Sequence, residues 1–152
     1  MKELSRTLWI RFTITSMPFG LLVLVASLVH LDNPSTYLPL QFIRPVGISL
    51  FVISIVMNVG FPIIMRTRFH DRAIAADNQI GVEKYLVYQT RLFVSVGVGA
   101  AFAGLAYLLV VSNFHLYGSI LSALYGIYSI LPFPEKTSGE LKAYGCKPES
   151  TE

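Results

Sequence analysis

Four apolar runs, at about residues 8–31, 46–65, 88–112 and 114–133, govern what this chain can fold into. A hydrocarbon core of about 30 Å is crossed by about 20 helical residues rising 1.5 Å each, and all four runs reach that length. In lipid a backbone N–H or C=O finds no water, so such a run closes its own hydrogen bonds as an α-helix. The charged fraction agrees, at 14% of residues against roughly 25% in a soluble domain. The expected architecture is an all-α integral membrane protein: four transmembrane helices in an antiparallel bundle, a single domain with a short polar tail over 134–152.

Charge sets the expected orientation. Eleven of the twelve Lys and Arg residues lie at the N-terminus, between 66 and 91, or in the tail, and only Arg44 lies between the first two runs. Cytoplasmic segments carry the excess of Lys and Arg, so both termini and the middle connection are read as cytoplasmic, in a bacterial inner membrane. Trp9, Tyr85 and Tyr88 then fall at the inner interface and Tyr37 at the outer one, where amphipathic rings prefer to lie. The formal net charge of +3 is read as topogenic, and no nucleic-acid partner is expected. Lys2, Arg6 and Arg11 ahead of an apolar stretch, with Val25-Ala26-Ser27 after it, imitate a secretory signal. The stretch from Leu8 to Leu31 exceeds a signal core of about 7 to 15 residues, so an uncleaved first helix is expected. Cys146 is the only cysteine, which excludes an internal disulfide and dithiol chemistry.

Between the runs, Asp32-Asn33-Pro34-Ser35 and Pro39 have turn chemistry. Arg66 to Lys84 is the longest polar connection, broken at Gly81. Ser112-Asn113 alone separates the last two runs, which calls for a tight helical hairpin. Pro18 and Gly20 invite a kink in the first run, with the hydroxyls of Thr13, Thr15 and Ser16 placed to reach carbonyls that the proline ring frees.

Two sets of residues stand out inside the runs. Gly97 with Ala101, and Ala100 with Gly104, repeat small side chains at four-residue spacing, and Gly118, Ser122 and Gly126 do so in the last run. Small residues at that spacing let helix backbones approach closely. They predict that the third and fourth spans pack on each other or that one lines a homo-oligomer interface. The second set is polar: Asn58, Thr15, Ser16, Ser95 and Ser129, at similar depth. Polar groups in lipid are functional candidates, so these either line a pore or polar pocket open to the cytoplasm or bond neighbouring helices and their own backbones.

His30 and His115, at matched depth near the outer face, could ligate a haem or, with Asp32, a metal ion; no cofactor is otherwise predicted. No Asp or Glu falls within the four runs, which argues against proton-coupled export, and no repeated arginine marks a voltage sensor. The cations of 66–72 suit phospholipid headgroups. No phosphate-cradling glycine loop, zinc pattern or nucleophile elbow is present. The favoured reading is a non-catalytic subunit or scaffold of a membrane assembly, partnered by membrane lipids and by itself or other membrane subunits. A homo-oligomeric pore or carrier for a small solute comes second, and a lipid-modifying or cofactor-binding membrane enzyme third.

Overall fold

The computed structural model describes residues 2–32, 38–76 and 80–145. Over these residues the chain is helical without a strand. Its elements are α1 (Lys2–Asp32), α2 (Leu40–Ile55), a π-helical turn (Val56–Gly60), α3 (Phe61–Ala75), α4 (Val82–Leu108), α5 (Asn113–Ile130) and α6 (Pro134–Ala143). Three stretches are long and apolar enough to cross a membrane, namely Glu3–His30, Leu40–Ala75 and Val82–Leu108. A fourth is reached if α5 and α6, which meet at 64°, count as one broken span. The expected turn over 33–37, Tyr37 within it, the Asp32 side chain and Cys146 lie outside the described residues.

Several boundaries differ from the sequence expectation: α1 begins at Lys2 rather than 8, α2 at Leu40 rather than 46, and α4 covers Val82–Leu108 rather than 88–112. Two further differences change the reading of the polar segments. The helix begun in the second run does not end at 65: it continues through Ala75, so most of the expected polar connection is helical. Hydropathy falls at Arg66, but no glycine or proline follows to break the backbone ladder before Ala76 turns away at φ −99°, ψ 21°. At the other end of the chain, the last run stops at Ile130 rather than 133, and part of the tail is α6. A residue before proline is pushed to extended backbone, and Leu131 (ψ 125°) and Phe133 (ψ 137°) precede Pro132 and Pro134. Pro134 then opens α6, where its missing N–H has no intrahelical partner to lose.

The π-helical turn also has a local cause. Pro62 has no N–H, and its ring would press on the carbonyl of Asn58, four residues back. The wider turn relieves that contact: Phe61 N–H bonds Val56 O, five residues back. This leaves Met57 O without a helical donor, since Phe61 N–H is used and Pro62 has none. The Ser95 hydroxyl of α4 fills the gap, donating to Met57 O at 2.9 Å. α1, by contrast, runs through Pro18 unbroken. Its Thr13 and Thr15 hydroxyls bond Trp9 O, Arg11 O and Phe12 O, not the carbonyl of Ile14 that the proline frees.

α4 is the central helix. Gly97 and Gly104 turn to α1, where an added Cβ would meet Thr15 O and Leu22 Cβ respectively; Gly99 turns the other way, to Asn58 of the π-turn. The pairs Arg11–Thr90 and His30–Leu108 show that α1 and α4 run in the same direction. Ser54–Gly99 and Ser95–Met57 show that α2 runs opposite to α4. α5 lies beside α2 in the same direction, since Gly118 meets Phe51 and Gly126 meets Asn58.

Thus the glycine stripe of α4 receives α1, and the small residues of α5 receive α2. Ala100 and Ala103 also pack with Ala123 of α5, and Phe19 of α1 closes on the same cluster. Ala101 is half-buried. A larger core at one end joins Leu8, Phe12, Ala73, Tyr85, Phe93 and Leu141, so both chain-end helices and the α3–α4 connection meet there. At the opposite end Leu50, Ala106 and Val111 form a smaller core.

Candidate functional site

The first candidate is the polar cluster around Asn58. Asn58 is fully buried (0% exposed), as are Ser54 and Ser119. Asn58 Nδ2 donates to Ser54 Oγ at 3.1 Å. Ser54 Oγ lies 3.1 Å from Gly99 O as a donor and shares a 2.9 Å bond with Ser122 Oγ, which itself lies 2.8 Å from Ser119 O. Asn58 Oδ1 has no hydrogen-bond partner. Glycine shapes the cradle: a Cβ at Gly99 would lie 2.8 Å from three atoms of the Asn58 side chain, and one at Gly126 would lie 2.9 Å from Asn58 Cβ and Oδ1. Hydrogen bonds thus tie α2 to α4 and α5 in a buried contact, where each is stronger than in water.

The other sequence candidates fall elsewhere. Ser95 sits beside the cluster and bonds Met57 O. Thr15 bonds its own helix, Ser16 is half-buried on α1, and Ser129 bonds Gly126 O at 2.8 Å. The five side chains therefore do not converge on one pocket. Ser54 and Ser119, which sequence reasoning did not single out, hold the cluster together. Ser54 is four residues before Asn58 on one helical face, and that spacing is the signal that could have found it.

Each histidine takes partners of its own. His30 Nε2 donates to Leu108 O at 3.3 Å, joining α1 to α4, and its ring packs edge-on to Tyr107. His115 Nδ1 is 2.5 Å from Ser112 Oγ at the start of α5, beside Phe51 and Phe114. Among the described residues no group of three or more His, Cys, Asp or Glu could hold a metal ion.

A second polar cluster secures α6. Tyr85 Oη donates to Glu140 Oε2 at 2.8 Å, and Gln89 Nε2 donates to the same oxygen at 2.7 Å. Arg66 and Lys136 both donate to Ser129 O, near the C-terminus of α5, where the helix dipole favours cations. Burial lowers the Lys136 pKa; Glu140 opposes this and Arg66 adds to it. The sequence hid this site because α6 was read as tail.

The third candidate is a groove between α3 and the first half of α4. A cavity of about 730 Å³ lies there, with Arg68, Arg72, Lys84 and Arg91 on its walls, Glu83 as the only acidic residue among the described residues of the lining, and Phe69 and Tyr88 behind. Those two rings stack at 3.9 Å and 9°. A second cavity of about 440 Å³ adjoins it along α4. Phe61, Met65, Val87 and Arg91 line both; Met57, Thr90, Val94 and Ser95 line the second, which Arg11 also borders. Comparison with protein-family models, with curated proteins and with solved structures finds no match, so these three sites are read from their geometry.

Proposed function

We propose that this chain is a non-catalytic subunit or scaffold of a membrane assembly, built as four antiparallel spans with both termini on the cytoplasmic face of a bacterial inner membrane. The observation that carries the assembly reading is the outer face of α5. Phe114, Tyr117, Leu121, Leu124, Tyr125 and Tyr128 are each more than half exposed there. Exposed apolar residues suit lipid, but a tyrosine hydroxyl within a span needs a polar partner, and tyrosine and phenylalanine are enriched in protein interfaces. The Asn58 cluster supports the non-conducting part of the reading. Its hydrogen bonds hold helices together, and glycine contacts close around it.

The test is gentle extraction from the native host's membranes followed by native mass spectrometry. The expected species contains this chain at fixed stoichiometry with other polypeptides, and it is lost from the double variant Leu121→Ala, Tyr125→Ala. A homo-oligomer would favour the pore or carrier, and a lone monomer would overturn the assembly reading.

A further inference from the structure

We propose that the groove between α3 and α4 is a binding site for one anionic glycerophospholipid of the surrounding bilayer. Three observations lead to it, and the first is charge. Among the described residues, five cations border the two adjoining cavities (Arg11, Arg68, Arg72, Lys84 and Arg91) against one carboxylate, Glu83. None of Arg68, Arg72, Lys84 or Arg91 has a hydrogen-bond or ion-pair partner among the described residues. Their donors are free for a phosphate, which guanidinium groups bind through paired, charge-assisted hydrogen bonds.

The second observation is the order of the lining along the helices. On α3, Arg72 and Arg68 give way to Met65 and Phe61; on α4, Lys84 gives way to Val87 and then, beyond Arg91, to Val94. Residues three and four apart share a helix face, so each helix presents one continuous strip. The strips run antiparallel, basic end beside basic end. The groove is therefore most basic at its mouth and mainly apolar beyond it, with Arg11, Thr90, Arg91 and Ser95 as its deeper polar residues, a gradient that suits a phosphate joined to acyl chains.

The third is length. From Lys84 to Val94 is ten residues, about 15 Å of helix at 1.5 Å per residue. One leaflet contributes about half of a hydrocarbon core of about 30 Å. A lipid of that leaflet with its phosphate at Arg68, Arg72 and Lys84 lays its chains over Met65, Val87 and Val94. A soluble phosphate compound would leave the apolar floor uncovered, and a lipid without net charge would leave the cations unpaired.

The inference rests on the membrane placement proposed above. Alkaline carbonate extraction tests that placement separately: release of the chain would remove the placement, whereas retention leaves the lipid site to be judged on binding. Binding is measured by native mass spectrometry on the full chain in detergent, titrated with dioleoyl phosphatidylglycerol or dioleoyl phosphatidylcholine. One phosphatidylglycerol per chain is expected, at least about tenfold tighter than phosphatidylcholine. Arg68→Gln with Arg72→Gln should weaken it about thirtyfold, from about fivefold for each cation near an anionic headgroup. Val87→Trp, which fills the apolar floor and leaves every charge in place, should weaken it about tenfold. Met65→Trp replaces it if the tryptophan at 87 prevents folding.

Lys142→Gln removes a cation outside the groove and should change affinity less than twofold. Equal loss from Lys142→Gln and the arginine pair, or full retention in both tryptophan variants, would reduce the effect to general surface attraction and overturn the site. Equal binding of the two lipids would do the same. Displacement of the bound lipid by millimolar glycerol 3-phosphate would make the groove a soluble-phosphate site instead, and also overturns the proposal.

Discussion

Asn58 and Gly99 form a close contact between the π-helical turn and α4. With the Gly99 Cβ position 2.8 Å from Asn58 Cγ, Oδ1 and Nδ2, alanine there overfills the contact, a change that typically costs about 1–3 kcal/mol. Gly99→Ala should therefore lower thermal stability in detergent, while in an Asn58→Ala background, which removes those three atoms, the same change should be close to neutral. Additive effects across the cycle would show that this contact does not set the helix spacing. Asn58 and Ser95 were legible because an amide or hydroxyl in an apolar run demands a partner. Which partner was not legible: Ser95 answers a carbonyl released by Pro62, and that depends on the backbone between them. Ser54 and Ser119 were passed over because an isolated serine in a helix commonly bonds its own backbone, as Ser119 does to His115 O at 2.7 Å.

The end of α4 shows how an element can be bounded by an unfavourable residue. Val110 N–H bonds Tyr107 O at 3.2 Å and Val111 N–H bonds Ala106 O at 3.3 Å, the paired bonds of a Schellman cap, while Val111 and Ala106 share a small core. The cap needs a left-handed residue, and Val110 supplies it at φ 49°. Glycine is the usual choice there; a side chain with a Cβ is disfavoured by about 1–2 kcal/mol, and β-branching adds crowding. Val110→Gly should raise the melting temperature, less whatever the half-buried valine contributes by contact. A fall in melting temperature would mean that contact outweighs backbone strain. Sequence reading placed a tight connection here from Ser112-Asn113 but had no glycine to mark the cap. It missed α6 and the extension of α3 for the opposite reason: a search for apolar runs follows transfer into lipid, whereas the helix ladder continues wherever nothing interrupts its hydrogen bonds.

At the scale of the molecule, a chain of long apolar helices was written in the sequence, but their extents and their neighbours were not. Gly97 and Gly104 announce a close contact without naming the partner, and the structure assigns it to α1. Charge is segregated along the helix directions. Arg11 joins α4 near its start, Arg66 and Lys136 meet at the end of α5, and Arg68, Arg72, Lys84 and Arg91 line the groove nearby, whereas Arg44 stands near the start of α2, toward the opposite end. Reversing such a chain would carry most of its cations across a potential worth about 2.3 kcal/mol per charge per 100 mV. In a Cys146→Ser background, a membrane-impermeant maleimide should label Arg44→Cys in intact bacterial cells and Lys142→Cys only after permeabilisation. The reverse pattern would place the basic end outside and overturn the orientation. Labelling of both positions in intact cells would put them on the same face, and the antiparallel four-span reading would fail with it.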